Sequence, residues 1–381
     1  MRKFFSNPSI REILRILIAI GGALLLGFLI TLIVSKEPIE AYKAFLLGPL
    51  SRFNRFGDWI EESITLIFVG LAIAIVFKAN MFSLGAEGQL LLGALVSGLI
   101  ALFVPLPAIL RIPLALIAAM VTGFLWGWIP GYLKAHLNAN EIVSTLMLNA
   151  IALKIYDYFL LFYLVPPNTG YMASAFFPKE GVLPSLIPNL PFLADIYKLF
   201  SDNTNITIMV YILIVAVIVV YYLMFRTPFG YELRMIGANI KFAGYGGINT
   251  KKTIILVFAI SGIFAGLAGA HLTMAIHTRV ILNISLGLGF EGIVVAILAR
   301  NNPWFIPLTG LAYGYLRAGA DIMERTSDMS REMVFVIQAL IILFVTAEGI
   351  LPMIQRRVAE RKENIKNNKE ATPSIGGKHA D

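Results

Sequence analysis

Residues 80–94 read Asn80-Met81-Phe82-Ser83-Leu84-Gly85-Ala86-Glu87-Gly88-Gln89-Leu90-Leu91-Leu92-Gly93-Ala94. The stretch interrupts two apolar runs, near 60–77 and 84–104, each long enough to cross a hydrocarbon core at about 20 residues per helix. Glycines at 85 and 88 on either side of Glu87 predict a break or tight turn, whose freed backbone groups face protein or water. A carboxylate at membrane depth is costly, so Glu87 faces a cavity or is paired. A simpler reading also fits: Glu87 and Gln89 cap the following helix and tie its neighbours together.

Outward from this point, apolar runs recur near 14–34, 110–133, 142–165, 206–225, 253–276, 285–300, 304–322 and 333–351. They predict an all-α fold, a polytopic transmembrane helical bundle of about ten spans. Composition agrees, with 58% hydrophobic and 14% charged residues against roughly 25% charged in a soluble domain. A water-soluble fold could not hide that much apolar surface. The basic start leads into the first run with no small-residue cleavage site, which predicts a retained helix.

An even number of spans puts both termini on one side. Arg2, Lys3, Arg11, Lys78, Lys134, Arg226, Arg234, Lys251 and the basic tail then share that side, which the charge rule makes cytoplasmic. The net charge of +8 is explained by orientation and anionic lipid, so no nucleic-acid partner is expected. The membrane domain covers 1–355. Within it, 166–205 is an outer loop broken by Pro166, Pro167, Pro178, Pro184, Pro188 and Pro191, and 226–252 is a basic, Gly-rich cytoplasmic segment. Residues 356–381 form a charged cytoplasmic tail that frays into disorder.

There is no cysteine, which excludes disulfides and thiolate chemistry. His136, His271, His277 and His379 have no second ligand at metal-binding spacing, and no G-x-x-x-x-G-K-[ST] run occurs. Neither a metal nor a nucleotide cofactor is expected in this chain. Gly287-Leu288-Gly289-Phe290-Glu291-Gly292 matches a dinucleotide fingerprint by letter, but it sits in an apolar span with no preceding strand. It reads as close helix packing around an intramembrane carboxylate, or as a helix-end Glu near an interface.

Residues 80–89 and 286–292 correspond weakly. Each starts a span with Gly-rich, Glu-bearing backbone, once per half, a pattern that marks a translocation path in repeat-built transporters. Phe82, Glu87, Gln89 and Glu291 are therefore the candidate pathway residues. Gly262, Gly266 and Gly269, Gly123 and Gly127, and Gly310 and Gly314 are helical-spaced packing positions. Arg317 with Asp321, and Lys154 with Asp157, read either as buried pairs that partly offset their own desolvation or, the reading preferred, as snorkelling pairs near the outer ends of their spans.

Taken together, Asn80–Ala94, Met235-Ile236-Gly237-Ala238-Asn239 through Ala243–Ile248, and Gly289–Ile293 with Arg300-Asn301-Asn302-Pro303 resemble the permease subunits of bacterial ATP-binding-cassette importers. The nearest branch is that of nucleoside and simple-sugar permeases, related to branched-chain amino-acid permeases, and the likeness covers about residues 10–355. It implies a multi-pass protein of the bacterial cytoplasmic (inner) membrane that is not itself an enzyme. The implied partners are an ATPase subunit that holds the ATP, a second permease subunit that is a paralogue, and an extracellular substrate-binding lipoprotein. The resemblance makes Gly237–Ile248 the ATPase-coupling segment; Gly237, Asn239 and Gly247 match motif positions, and Gly244 lies among them. Two departures bear on substrate fit: Ser83-Leu84 stands where the family usually has a pair such as Asn-Ile, and Glu291 where it often has Asp. The rival reading is a secondary transporter driven by an ion gradient, with Glu87 and Glu291 as coupling carboxylates.

Overall fold

The computed structural model describes residues 24–167, 170–186, 204, 206–285, 287–330, 334–336 and 339–340. Among them the regular structure is helical, with only two isolated β-bridges, Ala173 to Ile281 and Ser185 to Thr207. The chain divides into two compact units, residues 1–44 with 323–381, and residues 45–322. In the first, α1 (Leu24–Val34) meets the start of α2 (Pro38–Leu47), where the Tyr42 hydroxyl donates to Leu24 O at 2.5 Å. The Asp328 carboxylate there accepts from Ser35 Oγ at 2.5 Å and from Lys36 N at 2.7 Å. The Ser35 hydrogen bond, reinforced by that backbone N–H, holds the Asp328 carboxyl below the usual range.

The second unit carries α3 (Phe53–Lys78), α4 (Ala86–Phe103), α5 (Ala108–Leu137), α6 (Glu141–Phe159), α7 (Met209–Arg226), α8 (Pro228–Ala238), α9 (Ile240–Tyr245), α10 (Thr250–His271), α11 (Leu288–Leu298) and most of α12 (Ile306–Thr326). Helices α6 and α10 each continue into a π turn, Leu160–Leu164 and Leu272–His277. Among the described residues, six helices are long and apolar enough to cross a bilayer: α3, α4, α5, α6, α7 and α10. They coincide with the expected spans from 60–77 through 253–276. The expected span at 285–300 is corrected. Only the 11 residues of α11 are helical there, about 16 Å at 1.5 Å per residue, half of a hydrocarbon core. Of the expected run 14–34, residues 24–34 form α1 and the rest lies outside the described residues, as do most of 333–351, the tail and both termini.

Burial sorts the six. The apolar windows of α3, α10 and α4 are 83%, 78% and 67% buried, whereas those of α5, α6 and α7 are 28%, 28% and 33% buried. The first three are thus core helices, and the last three turn apolar side chains outward.

Glycine lets the core close. A Cβ on Gly262 of α10 would lie 2.0 Å from Gly123 O of α5, and one on Gly123 equally close to Gly262 O. One turn on, a Cβ on Gly266 would meet Ala119 O at 2.2 Å, and Gly93 of α4 packs on Gly266 itself. Three backbones therefore share one seam, as small residues permit in membranes. The expected stripe on α12 packs likewise on α3, with Gly310 against Ile67 and Gly314 against Ser63.

Connections are tied by side chains. Asn138, in the left-handed conformation, ends α5, and the Asn140 side chain accepts from Ile142 N and Val143 N to start α6. Of the expected outer loop, residues 170–186 lie along 274–282: Ser174 N donates to Val280 O at 2.8 Å, Phe177 N to Thr278 O at 2.9 Å, and Leu183 N to Met274 O at 3.0 Å.

Gly262→Val is expected to destabilise the protein by about 3 kcal/mol, the upper range for overpacking a tight core. Gly244→Ala, where a Cβ meets nothing within 4 Å, should change stability by under about 0.5 kcal/mol. Thermal unfolding of the two purified variants in detergent checks the contrast.

Candidate functional site

The two Gly-rich, Glu-bearing segments meet. After Val280 the chain turns inward as irregular backbone through Ser285, both residues buried, and α11 starts only at Leu288. Irregular backbone at membrane depth is stable only when enclosed by protein or water. The carboxylate of Glu87, in the first turn of α4, supplies the missing partners. Its Oε2 accepts from Gly289 N at 2.6 Å, and its Oε1 from Gly287 N at 3.3 Å and from the Ser285 hydroxyl. These are the orphan donors of a helix amino end, and an anion there also opposes the positive end of the helix dipole. The glycines have steric reasons: Gly287 has φ +86, and a Cβ on Gly289 would meet Glu87 N at 2.7 Å. The fingerprint-like run is thus a helix start fitted against another helix.

The turn before α4 is held by α6. Asn149 Oδ1 accepts from Gly88 N at 2.9 Å and Asn149 Nδ2 donates to Leu84 O at 2.7 Å, while Thr145 Oγ1 accepts from Leu84 N at 3.2 Å. Phe82 is exposed and stacks on Phe77 with centroids 4.9 Å apart. Gln89 is buried and turns to α5, its Nε2 lying 2.9 Å from where a Gly127 Cβ would be. The four candidate pathway residues therefore do not form one cluster. Glu87 and Glu291 lie at the α11 amino end, Phe82 at the surface, and Gln89 in the helix seam.

Glu291 belongs to a second group. Its Oε2 is 2.5 Å from Arg317 Nη1 on α12, and Arg317 Nε is 3.6 Å from Glu62 Oε2 on α3. The expected Arg317–Asp321 pair is corrected: Arg317 pairs across helices with Glu291 and Glu62, because one turn along α12 brings Asp321 only into electrostatic range. Lys154 and Asp157 likewise form no ion pair. Glu62, Glu291 and Arg317 are all partly accessible, so a polar strip with more carboxylates than cations runs from the start of α11 to α3.

A third group is wholly buried, and the sequence reading missed it. His271 Nε2 is 2.6 Å from Glu61 Oε2 and Nδ1 is 2.8 Å from Thr65 Oγ1, while Glu61 Oε1 accepts from Thr207 N at 2.8 Å. It joins α3, α10 and the entry to α7. The signal was the Glu61-Glu62 doublet, which looks like the polar edge of a span. Among the described residues no three His, Asp or Glu side chains are placed to hold a metal ion.

The segment expected to be cytoplasmic holds two helices, α8 and α9. A Cβ on Gly237, near the end of α8, would lie 2.4 Å from Lys78 O. Asn239 caps α9, accepting from Lys241 N and Phe242 N at 3.0 Å. Ala243 is buried, whereas Ile240, Phe242 and Tyr245 are exposed, Tyr245 by 91%. Gly247 has φ +83, and Gly244 stands in open space.

Glu87→Ala is expected to cost about 1–3 kcal/mol by orphaning buried N–H groups, and Glu87→Gln less because one acceptor remains. Thermal unfolding in detergent checks the order, and amide exchange at residues 288–291 should quicken in Glu87→Ala; equal stability of all three proteins would remove the capping role.

A family model described as the permease component of branched-chain amino acid transport systems matches residues 56–346. The glucose ABC transporter permease protein TsgB13 of Haloferax volcanii is 31% identical, over 87% of this chain and 85% of its own. The nucleoside ABC transporter permease protein NupB of Lactococcus lactis is 31% identical over 98% and 100% of the two chains. The guanosine ABC transporter permease protein NupP of Bacillus subtilis is 31% identical over 91% and 97%. A second permease protein from each of the latter two organisms, NupC and NupQ, matches at 26% identity. No solved structure matches the chain significantly. The chain belongs to the permease-component family of branched-chain amino acid transport systems, and is a multi-pass membrane transport component rather than an enzyme.

Proposed function

We propose that this chain is the membrane-spanning permease subunit of an ATP-driven importer for nucleosides or simple sugars in a bacterial cytoplasmic membrane. The observation that carries the reading is the near full-length likeness to permeases named for nucleosides, guanosine and glucose. A lipoprotein outside delivers the solute, a paralogous permease completes the path, and a cytoplasmic ATPase binds the ATP and drives alternating access. The path follows the partly accessible strip from Glu87 and Glu291 towards Glu62, with Phe82 at its cytoplasmic mouth and Gln89 fixing the wall behind it. Neutral polyhydroxylated solutes suit such a lining, because carboxylates accept from hydroxyls and amines.

Helix α9 is the docking element. Its exposed Ile240, Phe242 and Tyr245 stand on a backbone fixed by the Asn239 cap, and aromatic anchors of this kind dominate interface energies. The ion-gradient alternative is less well supported, since Glu87 is engaged by helix N–H groups and Glu291 by Arg317. Both carboxylates have fixed partners.

Tyr245→Ala is expected to weaken ATPase co-purification roughly tenfold, the loss of about 1.4 kcal/mol at one anchor, with the membrane domain still folded. Uptake of labelled guanosine into proteoliposomes holding the whole complex should require ATP and fall in parallel. Vigorous uptake by this chain alone, driven by a proton or sodium gradient, would replace the proposal with the secondary-transporter reading.

A further inference from the structure

Helix α6 carries a charge that nothing described above uses. With its π turn it spans Glu141–Leu164, 24 residues, so Lys154 lies roughly 20 Å from the start and about 15 Å from the end at 1.5 Å per residue. Both distances exceed the reach of a lysine side chain, on the order of 6 Å from its bond lengths. Helical side chains also lean towards the amino end, here the farther one. A snorkelling lysine here reaches neither end of the helix, so Lys154 is a mid-helix residue rather than the outer-end one expected.

Lys154 is exposed and has no ion-pair partner among the described residues. Asp157, one turn on, does not pair with it. The surroundings are apolar: Met147, Ile151, Tyr158 and Phe162, at spacings that keep them on one stripe with Lys154, are 64%, 49%, 50% and 74% exposed. The opposite face of α6 is already occupied, by Asn149 on Leu84 and by Tyr156, whose hydroxyl donates to Ile281 O at 2.8 Å. One lone cation halfway along an otherwise greasy stripe is a poor surface for lipid. It is a good one for a protein that brings a carboxylate to the same depth.

We infer that this stripe of α6 is the contact surface for the second permease, a paralogous chain that places an Asp or Glu opposite Lys154. The inference rests on the two-permease reading above, which the related pairs NupB with NupC and NupP with NupQ support. Charge complementarity selects a protein partner over lipid, and the apolar flanks supply the area around the pair.

The test is photo-crosslinking in native membranes, with benzoylphenylalanine introduced at Ile151 on the stripe or at Val215, 58% exposed on α7. The expected result is an adduct from position 151, identified by mass spectrometry as a permease homologous to this chain, and none from 215. A homologous permease captured only from 215 overturns the surface but leaves the two-permease reading standing. Capture of a second copy of this chain from 151 overturns the paralogue as occupant. Adducts with lipid alone from both sites, together with a complex whose native mass holds one permease, overturn the two-permease reading itself. Independently, Lys154→Met and Lys154→Glu should each lower recovery of the second permease by at least about tenfold, as for a broken buried pair, while Lys154→Arg preserves it. Unchanged recovery in Lys154→Met and Lys154→Glu removes the charge pair.

Discussion

The fold depends on one carboxylate placed at the amino end of a helix that starts inside the protein. Hydrocarbon offers no partner for free N–H groups, so a helix that begins at depth needs an acceptor from another element. Glu87 is that acceptor for α11, reaching Gly287 N, Gly289 N and the Ser285 hydroxyl at once. The interaction explains why the glycines of both segments sit where they do. Any larger residue at 289 would push α4 and α11 apart and pull the carboxylate off its donors. An isolated carboxylate at that depth would be costly, and an isolated helix start equally so. Each satisfies the other.

Around this joint, packing divides the labour. The α4, α5 and α10 backbones touch through glycine and form a seam with little room for relative sliding, and the Glu61–His271 pair fastens the first part of α3 to the end of α10. A buried pair of this kind is weak support for stability on its own. What it fixes is register, since Glu61 can meet both His271 and Thr207 N in only one placement of the three elements. The polar strip through Glu291, Arg317 and Glu62 runs where α11 and α12 meet α3.

Hydropathy made the long spans legible, because a run such as 110–133 needs no knowledge of its neighbours to be read, and α5 indeed covers Ala108–Leu137. It failed at 285–300. An apolar run buried in protein and one bathed in lipid have the same letters, and only the positive φ at Gly287 and the cap from Glu87 place the helix start. The charged groups show the same limit. Arg317 and Asp321 are neighbours in sequence, so the one-turn pairing was visible, while the partners actually used, Glu291 and Glu62, arrive from other helices. The Glu61–His271 pair has no local signature, because its two members lie 210 positions apart. The correspondence between 80–89 and 286–292 was legible as a likeness, but that the two segments bind one another is a property of three dimensions.

The approach of Gly237 to the Lys78 carbonyl has a mechanical meaning. With no side chain between them, the contact cannot absorb motion by rotamer change, as ordinary helix contacts do. A displacement of α8 would therefore pass with little damping to the last turn of α3 and the short loop that leads from it to Glu87.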